Sequence, residues 1–190
     1  MLKIHYKIDE TVEIDHKVYE LDLAFDVVLR TFDLFNDKLM DKFSRIQVSY
    51  LTLFKDKEIL NKLEDYTIDE RLEIITAILE DLTEKEEQDK HVERDILGNP
   101  IRKEYQDNRK LMDWNEDSEL IYSAFMQAYN IDLIEEQGRL NWFKFKALLN
   151  CLPSDTEFMQ VVRIRGWNED EDKKEYKEQM REAQKRLSLD

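Results

Sequence analysis

Glycine and proline are scarce in this chain of 190 residues, which contains three glycines and two prolines. A many-turned β-sandwich or β-barrel needs more of both residue types, so helices are expected to dominate. No two glycines are closer than 28 residues. This spacing excludes the glycine-rich phosphate loops of Walker-type and dinucleotide-binding proteins.

Cysteine and long apolar runs are limited too. Because Cys151 is the single cysteine, the chain alone cannot build a disulfide framework or a thiolate zinc site, and a reducing, cytoplasmic setting is expected. No uninterrupted apolar run exceeds three residues, whereas a membrane span needs about 20. The first residues lack the apolar region of a secretory signal. We therefore expect a soluble protein with no membrane partner.

Basic residues are fewer than acidic residues, 29 against 44, so the net charge is −15. Such a charge repels phosphate, so nucleic acid is not an expected partner. The composition still includes 42% hydrophobic residues, which is enough for a core.

Hydrophobic periodicity predicts a mainly α protein with a small N-terminal β-hairpin, in the α+β class. Period-two alternation over residues 2–21 predicts short strands with a tight turn at residues 15–17. The spacing then changes to three or four, and Asp22 is expected to cap a helix. Capping-box patterns at Thr67–Glu70 and Ser154–Glu157 predict two further helix starts.

The density of apolar residues divides the chain into two predicted modules. Residues 84–112 hold 8 acids, 7 bases and one aromatic residue, so they have little to bury. Helices are expected on both sides of this stretch. One of them is expected to be capped within Asp113–Glu116, to carry an apolar face from Leu120 to Tyr129 and to end at a left-handed Asn130. The predicted organisation is a hairpin-plus-helices module at 1–83, a charged linker or arm at 84–112, a helical module at 113–168 and a charged helical tail at 169–190.

No catalytic constellation, cofactor motif or metal-ligand spacing is present in the sequence. The three histidines, at positions 5, 16 and 91, match no metal-binding pattern. Asp132 is the carboxyl with the most apolar neighbours, but its expected role is to cap the 132–137 turn. Cys151 is expected to be a buried, inert thiol.

The predicted helix at 140–151 carries more apolar surface than an ordinary surface helix. Leu140, Phe143 and Ala147 share one stripe, which Cys151 extends, and a second stripe holds Trp142, Phe145 and Leu149. One interpretation makes this the central core helix of a bundle. The other leaves Trp142, Phe145 and Leu149 as a partner-binding groove, flanked by Arg163 and Arg165, which would pair with partner carboxylates.

Both ends of the chain contain runs of an unusual order, namely Lys17–Arg30, Asp117–Leu133, Leu140–Leu152, Thr156 and Arg163–Arg165. These runs resemble the "gene product fifteen" family of tailed phages and prophages of Gram-positive bacteria. The resemblance lapses in the charged middle of the chain. Family members often have glycine where Asn130 and Cys151 stand, and a His-Trp-Trp run where residues 141–143 stand.

The resemblance implies a non-enzymatic tail assembly chaperone of long-tailed phages, acting in the host cytoplasm. It implies the tape-measure protein as the partner, with a shorter tail assembly chaperone or the major tail protein as further partners. A homo-oligomer is left open. Two other functions also remain open, namely a structural tail or neck component and an acidic inhibitor that mimics DNA.

Overall fold

The structure is a computed structural model that describes residues 5, 7–83, 110–167 and 174–189. These residues form one antiparallel hairpin and eight helices, which confirms the expected mainly α fold with an N-terminal hairpin. The strands are β1 (Thr11–Ile14) and β2 (Lys17–Glu20). The helices are α1 (Phe25–Asn36), α2 (Lys42–Leu53), α3 (Ile59–Leu63), α4 (Ile68–Thr83), α5 (Ser118–Tyr129), α6 (Trp142–Asn150), α7 (Glu157–Arg165) and α8 (Lys174–Leu187).

Contacts divide the chain into two compact units, each of which is described by itself. Unit 1 comprises Met1–Tyr105 with Gly138–Phe143, and unit 2 comprises Gln106–Gln137 with Lys144–Asp190. The predicted modules are continuous segments, whereas the contacts group Gly138–Phe143 with the N-terminal residues. Most of the expected linker at 84–112 lies outside the described residues, so its role stays a prediction.

The hairpin of unit 1 turns at two residues with left-handed backbone. Thr11 pairs with Glu20 and Ile14 with Lys17, which leaves Asp15 (φ 48°) and His16 (φ 63°) at the turn. Two-residue turns of this kind match the natural twist of the strands that they join. The predicted turn at residues 15–17 is thereby confirmed, with Lys17 opening β2.

The core of unit 1 is built around α2, which packs against α1, α3 and α4. The Tyr50 side chain is fully buried, and its hydroxyl donates to the carbonyl oxygen of Arg71 at 2.9 Å. Burial raises the pKa of this phenol. Other fully buried side chains of this core are Val28, Leu53, Phe54, Ile59 and Ile75.

Residues 138–143 join unit 1 through backbone hydrogen bonds. The N–H of Phe25 donates to Leu140 at 2.9 Å, and the N–H of Trp142 donates to Leu23 at 2.7 Å. Gly138, at φ 70°, donates its N–H to the Asp26 carboxylate at 2.8 Å. These bonds explain why a segment from the middle of the chain belongs to the N-terminal unit.

The predicted starts of α1 and α7 need correction. The first helix begins at Phe25 with Ala24 as N-cap, while the Asp22 carboxylate accepts the Ala24 N–H at 3.2 Å. The helix expected after Ser154 is capped instead by Thr156, whose hydroxyl accepts the N–H of Met159 at 3.4 Å. In both places a polar residue of the right type lies within two positions of the true cap.

Unit 2 has a core of aromatic side chains from α5 and α6. The rings of Phe125 and Phe145 stack with centroids 5.1 Å apart. The ring centroid of Trp114 lies 6.0 Å from that of Phe145. Asn130 ends α5 in the left-handed conformation at φ 53°, as expected, but the N-cap is Asp117, one residue after the predicted Asp113–Glu116 cap. Phe158 and Val161 of α7 are buried as well.

A buried ion pair ties the ends of unit 2 together. The guanidinium of Arg165, which is 9% exposed, donates to both carboxylate oxygens of Asp117 at 2.6 and 2.9 Å. It also donates to the carbonyl oxygens of Leu111 at 3.1 Å and Leu187 at 2.7 Å. One side chain therefore holds the segment before α5, the start of α5 and the end of α8.

We expect Asp117→Ala to lower the free energy of unfolding by about 3–5 kcal/mol, because it leaves the Arg165 guanidinium buried without a counter-charge. Urea denaturation measures the loss. Glu119→Ala, at an exposed position in the same helix turn, is the matched control and should cost less than about 1 kcal/mol. Equal losses in the two variants would contradict the assigned role of the pair.

Candidate functional site

The stripe predicted to bind a partner lies in the protein interior. Trp142 and Phe145 are each 1% exposed, and Leu149 is 6% exposed. The indole N–H of Trp142 donates to the carbonyl oxygen of Leu82 at 2.7 Å, and its ring lies 6.0 Å from Phe32. This burial favours the core interpretation of the helix. A partner would reach these side chains only if α6 moved, so their role in binding stays a prediction.

The other stripe of α6 lies nearer the surface, which reverses the expected arrangement. Phe143 and Ala147 are half-buried, and Leu140 just before the helix is half-buried too. Cys151 is exposed, so the expectation of a buried thiol was wrong. The cause in unit 2 is the stack of Phe145 on Phe125, which turns the Phe145 face of α6 inward.

The structure does not bring Arg163 and Arg165 together. Residues two apart on a helix face different directions. Accordingly, Arg163 is exposed and Arg165 is buried against Asp117.

Asp132, the carboxyl with apolar neighbours, accepts the N–H of Ile134 at 2.9 Å and the hydroxyl of Tyr122 at 3.2 Å. These bonds are consistent with its expected role in the turn.

A groove in unit 1 is lined by apolar side chains, some of which are exposed to solvent. It has a volume of about 450 Å³ and lies among α2, α3 and the start of α4. Two large side chains on it are far from buried, since Phe43 is 44% exposed and Ile68 is 43% exposed. Its apolar lining includes Phe43, Ile46, Leu60, Leu63 and Ile68.

Polar bonds at the helix starts position the walls of the groove. The Asp41 carboxylate accepts the N–H of Ser44 at 3.0 Å and so caps α2. At α4 the predicted capping box is confirmed, since Glu70 accepts the Thr67 N–H at 2.7 Å and donates its own N–H to the Thr67 hydroxyl at 3.3 Å. An ion pair of 2.5 Å between Lys42 and Asp69 links the two helix starts.

The polar residues of the groove carry both signs of charge. The half-buried Arg71 lines one wall and donates its Nε–H to the carbonyl oxygen of Tyr66 at 3.0 Å, while the exposed Glu64 lines another. The surroundings are acidic, because residues 1–83 contain 11 basic and 19 acidic side chains. An apolar surface inside an acidic unit suits a cationic amphipathic helix.

Sequence reasoning missed this groove. Phe43 lies three residues before Ile46 and seven before Tyr50, a spacing that assigns all three to one buried face. Ile46 is 3% exposed and Tyr50 is fully buried, but Phe43 is not. Only the tertiary structure shows that the core stops short of the first turn of α2.

The described part of the chain contains neither a metal-binding cluster nor a helix that could span a membrane. Residues 5, 7–83, 110–167 and 174–189 contain no group of three or more His, Cys, Asp or Glu side chains that could hold a metal ion. Among the helices described, none is long and apolar enough to cross a membrane.

Comparison with known proteins gives one match. A family model described as Bacteriophage Gp15 protein matches residues 4–189. No curated protein and no solved structure gives a significant match.

We expect Trp142→Ala to lower the free energy of unfolding by about 3–5 kcal/mol, as truncation of a buried tryptophan does. Phe143→Ala, the next residue and only half-buried, should cost clearly less. Urea denaturation of the two variants measures the difference. Near-native stability of Trp142→Ala together with weakened partner binding would instead support the predicted role of Trp142 as a partner contact.

Proposed function

Because this chain belongs to the Bacteriophage Gp15 protein family, we propose that it is a non-enzymatic tail assembly protein that binds a helical segment of the tape-measure protein. The binding surface is the groove among α2, α3 and α4. The single observation that carries the proposal is the half-exposure of Phe43 and Ile68 on this groove. Acting as a chaperone, the protein would bind its partner in the host cytoplasm before the tail is complete.

The shape and chemistry of the groove support a helical ligand. Helix-in-groove recognition places apolar side chains spaced by three, four and seven residues into an apolar cleft. The groove presents such a cleft between helices of one unit, with Phe43 and Ile68 as its most exposed apolar side chains. Aromatic and aliphatic side chains at the centre of an interface usually carry most of the binding energy.

The net charge of the chain indicates which kind of tape-measure segment the groove would bind. The whole chain has a net charge of −15, so it attracts cationic segments and repels other acidic proteins. We therefore expect the bound tape-measure segment to be an amphipathic helix with lysine or arginine residues beside its apolar stripe. A shorter tail assembly chaperone and the major tail protein are further partners to test with the same assay.

We expect Phe43→Gln combined with Ile68→Gln to weaken binding of the tape-measure segment by at least about tenfold, because both contacts with the apolar stripe are lost. Overlapping segments of the tape-measure protein encoded with this chain serve as ligands, and isothermal titration calorimetry measures the Kd. Glutamine is tolerated in helices, so circular dichroism should remain native.

The matched control is Val18→Gln combined with Leu39→Gln. These apolar residues of the same unit are 60% and 98% exposed, and neither lines the groove. The control should bind within about twofold of the unaltered protein. Equal weakening in both double variants would mean that general surface hydrophobicity, and not the groove, carries the interaction.

We expect the protein to be absent from finished virions, since a chaperone leaves its client before the particle is complete. Mass spectrometry of purified particles tests this. Stoichiometric protein in the particles would contradict the chaperone function and favour the structural tail or neck component. Binding that is strongest to a host DNA-binding protein or nuclease, and that is lost at high salt, would favour the acidic inhibitor.

A further inference from the structure

Among the described residues that line the groove of unit 1, Arg71 alone is basic. Its side chain is half-buried, and its Nε–H donates to the carbonyl oxygen of Tyr66 at 3.0 Å. Its own carbonyl oxygen accepts the hydroxyl of the buried Tyr50 at 2.9 Å. The backbone and the side chain of Arg71 are therefore both held in place before a ligand arrives, which lowers the entropic cost of binding through this residue.

The guanidinium of Arg71 has no carboxylate partner in the part of the chain that the structure describes. Its one side-chain hydrogen bond there is the bond from Nε, so neither terminal amino group has a protein partner. Side chains three and four positions away are its neighbours on the helix. None of these is acidic, since they are Thr67, Ile68, Ile74 and Ile75. A guanidinium with five donors therefore has unused hydrogen-bonding capacity at the groove.

The two acidic residues just before Arg71 have other partners. Asp69 pairs with Lys42 at 2.5 Å. Glu70 accepts the N–H of Thr67 at 2.7 Å in the capping box of α4. A ligand carboxylate would thus reach the guanidinium without displacing an internal ion pair.

Resting on the proposed function, we propose that Arg71 is a specificity-determining residue that pairs with one aspartate or glutamate side chain beside the apolar stripe of the bound helix. The two terminal amino groups of an arginine can hold both oxygens of one carboxylate. Arginine is also enriched among the residues that dominate binding at interfaces. The pair fixes the register of the helix in the groove, because only one placement brings the acidic side chain to Arg71.

The charge of the whole chain acts on a different property of the ligand. The net charge of −15 acts on the total charge of a segment, so it favours a surplus of basic residues and opposes every strongly acidic ligand, whether peptide or nucleic acid. A single carboxylate in contact with Arg71 is a short-range pair within a segment that remains cationic. Glu64 lines the same groove, is exposed and makes no ion pair with Arg71, so it suits one of the basic residues of that segment.

The test is a double-mutant cycle between the full chain and a tape-measure segment that binds it in calorimetric titration. Each aspartate or glutamate of the segment is neutralised singly to the corresponding amide, and the Kd is measured with the unaltered protein and with Arg71→Gln. We expect one of these changes to weaken binding to the unaltered protein at least about fivefold, and binding to Arg71→Gln less than about twofold. If Arg71 were only structural, the change in the segment would cost the same with both proteins.

The matched control is Arg30→Gln, which removes the same side chain from an exposed position of unit 1 that does not line the groove. With this variant the change in the segment should cost as much as with the unaltered protein, to within about twofold. If Arg71→Gln fails to fold by circular dichroism, Arg71→Lys replaces it. That variant keeps the charge but cannot hold both carboxylate oxygens in the same fork, so the cost of the segment change should fall below about threefold.

The outcomes separate this inference from the proposed function. A bound segment that has no acidic residue, or whose acidic changes cost the same with the unaltered protein and with Arg71→Gln, would overturn the role of Arg71 and leave the proposed function standing. If no tape-measure segment binds, or if Phe43→Gln combined with Ile68→Gln binds as the unaltered protein does, the proposed function fails and the role of Arg71 fails with it.

Discussion

The buried ion pair between Arg165 and Asp117 is the constraint on which the arrangement of unit 2 depends. One guanidinium neutralises the carboxylate at the start of α5 and donates to the carbonyls of Leu111 and Leu187. Arginine stays ionised in proteins, and a buried charge that loses its partner is costly. None of these groups can therefore leave without a penalty to the others.

In unit 1, hydrogen bonds and an ion pair at the helix starts position the residues around the groove. The caps at Asp41 and Thr67, with the Lys42–Asp69 ion pair, determine where α2 and α4 begin. Phe43 and Ile68 lie in those first turns, beyond the well-packed core around Tyr50. Exposed apolar patches on a protein surface often mark interaction sites. The capped helix starts place Phe43 and Ile68 on the lining of the groove.

Features that depend on neighbouring residues could be predicted from the sequence. The hairpin turn, the Thr67–Glu70 capping box and the left-handed end at Asn130 each involve residues within a few positions of one another. The prediction at Ser154 was wrong for a local reason too, because Thr156 offers a competing cap two residues later. The candidate groove could not be predicted in this way, because it joins residues from three helices.

Helix α6 shows which features the sequence determines and which the tertiary structure determines. Its sequence alone determined that it is a helix with two apolar stripes, because periodicity is a property of neighbouring residues. The choice of the buried stripe was decided by partners far away in sequence, namely Leu82 for Trp142 and Phe125 for Phe145. In the same way composition determined the mainly α class and the acidic charge, since both are sums over the chain. The exposure of Phe43 and the burial of Arg165 were decided only by tertiary structure, because burial depends on which distant side chains cover a residue.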